Sequence, residues 1–221
     1  MPSPDEIRAK LLEKNMHNLV CQPRSKLVIE GYPRSANTFS VDMINVICDA
    51  AGRKRPPMGH HTHSVRNLRL GALQKIPLVV LIRDPAAAIL SFKIFSGRPV
   101  PFCLKRYVTF YSRTLQLNTP FILGEFEETV NDFNALLTRL NAVLDEPLPL
   151  SEDLARDSAR AQELARTRAA RRHGDKATER VGVPNEKREA LKQQQRAEVE
   201  EALAQNPEPM RLYREILARG R

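Results

Sequence analysis

The sequence predicts an α/β fold of three layers, with a mostly parallel central sheet, helices on both faces and a helical C-terminal extension. Short apolar runs alternate with amphipathic helical stretches over about residues 26–144. The run at residues 78–82 (LVVLI) is apolar at every position, as suits a parallel strand covered on both faces. From Ser151 onward the composition turns to Arg, Glu, Gln and Ala at helical lengths.

Residues 26–31 (KLVIEG) form the first expected strand. The helix after it places Phe39, Met43, Val46, Ile47 and Ala50 on one face, with Gly52 as its C-terminal cap. A second strand, residues 77–82, stops at Arg83-Asp84-Pro85. Asp84 is a good N-cap and Pro85 a good first helical residue, so a helix starts there and leaves Arg83 at the strand's carboxyl end. Residues 102–117 read as a helix and residues 119–123 as a third strand. Residues 129–144 read as one helix with Phe133, Leu136, Leu137, Leu140 and Val143 on its buried stripe. Helices at residues 152–171 and 186–204 have little to bury. A last one at residues 210–217 carries Met210, Tyr213, Ile216 and Leu217 at helical spacing and is expected to dock on the core. With 221 residues, one domain is expected, its core at about 26–144 and its Arg-rich helical part at about 151–221.

Thirty-five Lys plus Arg against 26 Asp plus Glu give a net charge of +9, which favours anionic ligands. The absence of Trp and the 12 Phe plus Tyr leave few rings for stacking bases, so nucleic acid is disfavoured. Cys21, Cys48 and Cys103 are odd in number and lack a C-x-x-C spacing, which suggests neither a disulfide framework nor a zinc ribbon and fits a reducing cytosol. The first 15 residues lack a signal peptide's apolar stretch, and no run approaches a membrane span, so the expectation is a soluble, cytoplasmic protein.

In open parallel sheets ligands bind at the carboxyl ends of the strands, where residues 31–38 (GYPRSANT) and Arg83 fall. The strand, turn and helix around residues 31–38 are the arrangement with which a P-loop NTPase-like fold wraps phosphate. Against a Walker A loop, however, the second glycine is Ala36 and the lysine is Asn37, which disfavours a standard ATP or GTP hydrolase. The N–H groups of Ser35 to Thr38 are expected to face an anion, with side-chain donors from Arg34, Ser35, Asn37 and Thr38. Helix capping by Ser35, Asn37 and Thr38 is the plainer account, and Arg34 inside the turn argues for the anion. Arg83 with Ser91, about two turns into the next helix, is placed to grip a second phosphate; an ion pair at the sheet edge is the alternative. Three of the five histidines are His60, His61 and His63. A zinc site lacks a nearby cysteine or carboxylate to complete it, which leaves surface histidines or a general base, with His63 the leading candidate.

These residues resemble the sulfotransferases that use 3′-phosphoadenosine 5′-phosphosulfate. That family's first signature, P-[KR]-S-G-[TN]-T-[WF], is similar to Pro33-Arg34-Ser35-Ala36-Asn37-Thr38-Phe39. Its second, R-[ND]-P with a serine eight positions after the arginine, is similar to Arg83, Asp84, Pro85 and Ser91. Its K-T-H resembles His61-Thr62-His63, and its R-K-G loop is echoed by Arg180-Val181-Gly182. The later stretch FILGEFEETVNDF also looks like the family's strand, acidic turn and helix, so the likeness covers about residues 26–144. It implies that residues 34–39 bind the 5′-phosphosulfate and that Arg83, Ser91 and Arg180 bind the 3′-phosphate. It further implies a catalytic His63, in a role His61 could share, and an Arg34 that stabilises the leaving phosphate. The implied reaction is in-line sulfuryl transfer to an acceptor hydroxyl or amine, with 3′,5′-adenosine diphosphate as product and no metal. Ala36 and His61 depart from the signatures.

A nucleotide-dependent small-molecule kinase is the nearest rival, weakened by the missing lysine. A non-catalytic nucleotide or polyanion-binding module would account for the basic stretch at residues 166–172 (RTRAARR). The acceptor, a small molecule or saccharide, is not encoded in the donor motifs. Residues 95–105 (FSGRPVPFCLK) are a candidate wall for it, and the arginines of residues 156–172 point to an acidic one. A homodimer is compatible with this reading.

Overall fold

The computed structural model of the chain describes residues 3–13, 19–174 and 186–220. Its centre is a four-stranded, all-parallel sheet in the order β2-β1-β3-β4, built from β1 (Leu27–Gly31), β2 (Met58–His60), β3 (Leu78–Ile82) and β4 (Ile122–Glu125). The strand side chains alternate between two cores, as a period of two requires. Val28, Leu78, Val80 and Ile82 join one apolar cluster, while Leu27, Ile29, Val79 and Leu81 join the other. The runs are apolar throughout because both faces are covered, which makes the fold a three-layer α/β arrangement.

The second face is covered by α2 (Asn37–Ala50), α7 (Phe133–Asn141) and α8 (Leu154–His173). On the first lie α1 (Pro4–Leu12), α3 (Val65–Leu73), α4 (Pro85–Ser96), α5 (Val100–Leu115), α9 (Glu186–Gln205) and α10 (Glu208–Arg219). Asp84 caps α4 by accepting from the Ala87 N–H at 3.0 Å, and Pro85 is its first residue. Gly52 follows α2 in the left-handed region (φ 63°), where a residue without Cβ ends a helix most easily.

Several boundaries differ from the sequence-based expectation. The fourth strand begins at Ile122 rather than at Thr119, after Pro120, which has no N–H to give a ladder. The single helix expected over residues 129–144 is two, α6 (Phe126–Asn131) and α7, broken at Asp132 (φ −138°, ψ 76°), whose carboxylate caps α7 through the Ala135 N–H. Val143 lies beyond α7 and is 52% exposed instead of on the buried stripe. Ala50, expected on the buried face of α2, is exposed at its last turn.

The C-terminal helices dock more fully than their composition suggests. Small Ala161 and Ala169 let α8 lie close to the core, while α9 contributes Val199 and α10 contributes Leu212 and Ile216 to the other face. Among the described residues no helix is long and apolar enough to cross a membrane. Cys21, Cys48 and Cys103 are all buried and unbridged.

Candidate functional site

The site lies at the carboxyl ends of β1 and β3. The two strands approach so closely there that a Cβ on Gly31 would sit 2.5 Å from the Leu81 carbonyl oxygen. Past Gly31 the chain turns through two left-handed residues, Arg34 (φ 75°) and Ala36 (φ 66°), before α2 begins. Left-handed residues set among right-handed ones make successive N–H groups converge on a concavity that suits an anion. Ala36 holds the conformation where glycine would be easiest, at a modest cost in strain.

The loop is braced from inside. Ser35 donates its N–H to the Tyr32 carbonyl at 3.2 Å, and the Asn37 Nδ2 donates to the same oxygen at 3.0 Å. Ser35 and Asn37 are buried. The Ser35 N–H and the Asn37 amide therefore brace the loop from within, where the sequence suggested that they face an anion. Among the described residues no acceptor takes the N–H groups of Ala36, Asn37 or Thr38. Those three, at the positive end of α2, are what the loop offers a ligand. Phe39 turns away and meets Phe133 edge-on at 6.0 Å in the core, so its ring serves packing.

Both signature arginines come to this loop. The Arg34 Nε donates to the Ser91 Oγ at 3.2 Å, and an Arg83 guanidinium nitrogen donates to the Arg34 carbonyl at 3.4 Å. Arg83 also lies flat on Phe126, 3.7 Å from the ring centroid, and Arg34 lies 5.2 Å above the Phe95 ring. Tyr107 and Tyr111 of α5 donate to the Arg83 and Leu81 carbonyls at 2.9 and 2.8 Å, which fixes the end of β3. Arg180 lies outside the described residues.

The histidine loop is held by a residue the sequence reading passed over. Glu30, the one acid in the β1 run, is fully buried and accepts four hydrogen bonds. They come from the Thr62 N–H (2.9 Å), the Thr62 Oγ1 (2.6 Å), the His63 N–H (2.8 Å) and the Asn67 Nδ2 (2.8 Å). Burial pushes its carboxyl up to about 7, against the downward pull of these donors. The anchoring holds His61 (φ 57°) and His63 (φ 47°) in left-handed backbone next to the anion loop. A lone carboxylate inside an apolar strand was the signal available in the sequence.

The His63 Nδ1 lies 2.9 Å from the Gly31 carbonyl oxygen, which can only accept. Nδ1 therefore carries the proton and Nε2 keeps its lone pair. Burial, with the Arg106 and Arg34 charges, pushes the His63 pKa down to about 4, so the ring is neutral at physiological pH. His61 is engaged at both nitrogens, with Thr38 Oγ1 at 3.0 Å and His60 Nδ1 at 2.7 Å. It braces Thr38, which leaves the His63 Nε2 as a ring nitrogen without a partner among the described residues. Burial and the neighbouring His60, His63, Arg168 and Arg172 charges push the His61 pKa down to about 3. Those two arginines belong to α8, which Arg168 ties to buried Asp42 of α2. Further along α8, His173 meets Phe95 edge-on at 6.4 Å. The basic stretch at residues 166–172 thus borders the site.

These shifts give a stability prediction. A histidine whose folded pKa lies below its unfolded value stabilises the fold fully above about pH 6.5 and loses that contribution as pH falls. His61 and His63 act this way down to about 3 and 4, while Glu30, raised to about 7, offsets roughly one proton between pH 7 and 4.5. Urea unfolding midpoints are expected to fall from pH 7 to pH 5, and to fall less in a His61→Gln/His63→Gln variant. Equal pH dependence in the two proteins would contradict buried neutral imidazoles.

No model of a known protein family matches the chain, and comparison with characterised proteins likewise finds no match.

Proposed function

We propose that this protein is a sulfotransferase that moves a sulfuryl group from 3′-phosphoadenosine 5′-phosphosulfate to an acceptor hydroxyl or amine. The observation that carries the reading is the convergence of four elements at the carboxyl ends of the two central strands. They are three N–H groups at the start of α2 with no acceptor among the described residues, the linked Arg34 and Ser91, Arg83, and a neutral His63 with Nε2 unprotonated.

The donor's 5′-phosphosulfate is assigned to the N–H groups of Ala36, Asn37 and Thr38 with Arg34, and its 3′-phosphate to Arg83 and Ser91. The His63 Nε2 accepts the acceptor's proton as the new oxygen–sulfur or nitrogen–sulfur bond forms. The bond from sulfur to the bridging oxygen breaks, and its electron pair leaves on the phosphate of 3′,5′-adenosine diphosphate. Arg34 and the loop N–H groups stabilise that charge. An anionic donor beside Arg34 also offsets the cation that depresses His63, so the base strengthens when the site is loaded. An ATP-dependent reaction is less well served, because the Walker lysine position holds Asn37, whose amide is committed to the loop itself. The three reduced cysteines suit a reducing compartment, and the cytosol is the proposed location.

The test is calorimetric binding of 3′,5′-adenosine diphosphate against ATP and 5′-AMP. Selectivity for the 3′-phosphorylated nucleotide is expected, weakened roughly 10- to 100-fold by either Arg34→Ala or Arg83→Ala through loss of a charge-assisted contact. Preference for ATP, or unchanged affinity in both variants, would remove this assignment.

A further inference from the structure

We propose that Arg106 of α5 binds an anionic group of the acceptor, so that this enzyme sulfurylates molecules carrying a carboxylate, phosphate or sulfate near the reacting hydroxyl or amine. The proposal rests on the sulfotransferase reading of the site. Arg106 is half-buried, its Nε is fully buried, and among the described residues it makes no hydrogen bond and no ion pair. Its guanidinium lies 5.6 Å from the centre of the Phe92 ring. Phe92 in turn meets Tyr32 at 5.4 Å and stacks on Phe95 at 6.4 Å, the ring under Arg34. A third guanidinium therefore stands in the aromatic wall behind the anion loop, close enough to His63 for its charge to be felt there.

Arginine keeps its proton, and its buried Nε–H has no acceptor among the described residues, which is unfavourable. Arg34 and Arg83 are already engaged with Ser91 and with the loop backbone, and their charges add repulsion. A bound anion relieves both penalties. Arg34 and Arg83 are assigned to the donor's two anionic groups, so the anion left to Arg106 is the acceptor's. Positive charge at the rim from Arg172 favours the same class of molecule.

The test uses donor-loaded protein and three matched probe pairs differing by one anionic group: glucuronate and glucose, 4-hydroxybenzoate and phenol, glycerol phosphate and glycerol. Wild type is expected to bind the anionic member of at least one pair about tenfold or more tightly. Arg106→Ala should erase that preference, Arg106→Lys should keep part of it, and both should bind 3′,5′-adenosine diphosphate within about twofold of wild type. No preference in any pair, or a preference surviving in Arg106→Ala, overturns the proposal. A tenfold loss of nucleotide affinity in Arg106→Ala also overturns it, by moving Arg106 to the donor. If wild type binds no donor, the sulfotransferase reading fails on its own. The same pairs on unloaded protein then decide whether Arg106 is an anion site, and absence of an Arg106-dependent preference there overturns it.

Discussion

His63→Ala is expected to lower sulfuryl transfer by roughly 10²- to 10⁴-fold, the usual contribution of a positioned general base, while leaving affinity for 3′,5′-adenosine diphosphate within about twofold. The separation follows from geometry. Nε2 is the ring atom left for chemistry, Nδ1 is tied to the Gly31 carbonyl, and the loop N–H groups and Arg34, the proposed nucleotide contacts, do not depend on the imidazole. The measurement is turnover of labelled donor with an acceptor found by screening, alongside calorimetry of the product nucleotide. Full turnover in the variant would place the base elsewhere. His61 is a poor substitute, since Thr38 and His60 occupy both of its nitrogens.

Glu30→Ala is expected to destabilise the fold by about 3–5 kcal/mol, because it strands several buried donors at once. The Thr62 and His63 N–H groups, the Thr62 hydroxyl and the Asn67 amide all converge on that carboxylate. Glu30→Gln keeps the volume but turns an NH₂ towards some of these donors, so it should lose a large part of the same stability. Urea unfolding at pH 7.5 reports both. A change below about 1 kcal/mol in Glu30→Ala would show that the histidine loop is held by other contacts. Since the carboxylate bonds directly to the His63 backbone, any folded Glu30 variant should also turn over more slowly than its nucleotide affinity suggests.

The parts of this protein that could be read in advance are those decided by neighbours in the chain. The apolar runs at β1 and β3, the Asp84-Pro85 helix start and the spacing of Arg34, Asn37 and Thr38 around the turn are local patterns, because strand period, helix capping and loop conformation act over a few residues. Pro120 could have moved the start of β4, and Asp132 could have split the helix after it. Both are local signals that compete with an apolar periodicity, and in the folded chain they prevail over it.

Other features depend on residues far apart in the chain. That β1 lies between β2 and β3 is decided by pairing between distant segments, and the docking of α8 beside α2, which brings Arg168 and Arg172 to the histidines, is likewise a long-range contact. Which side chains of the loop face outward was settled by the Tyr32 carbonyl, which draws Ser35 and Asn37 inward and leaves three N–H groups for a ligand. Glu30 looks like a misfit in its strand until Thr62, His63 and Asn67 arrive from more than 30 residues away. Arg106 looks like one cation among many until folding buries its Nε–H with no acceptor among the described residues. Local sequence carries propensity and pattern, whereas the protonation of His63, the anchoring by Glu30 and the burial of the Arg106 Nε–H arise from desolvation and long-range contact, which exist only once the chain has folded.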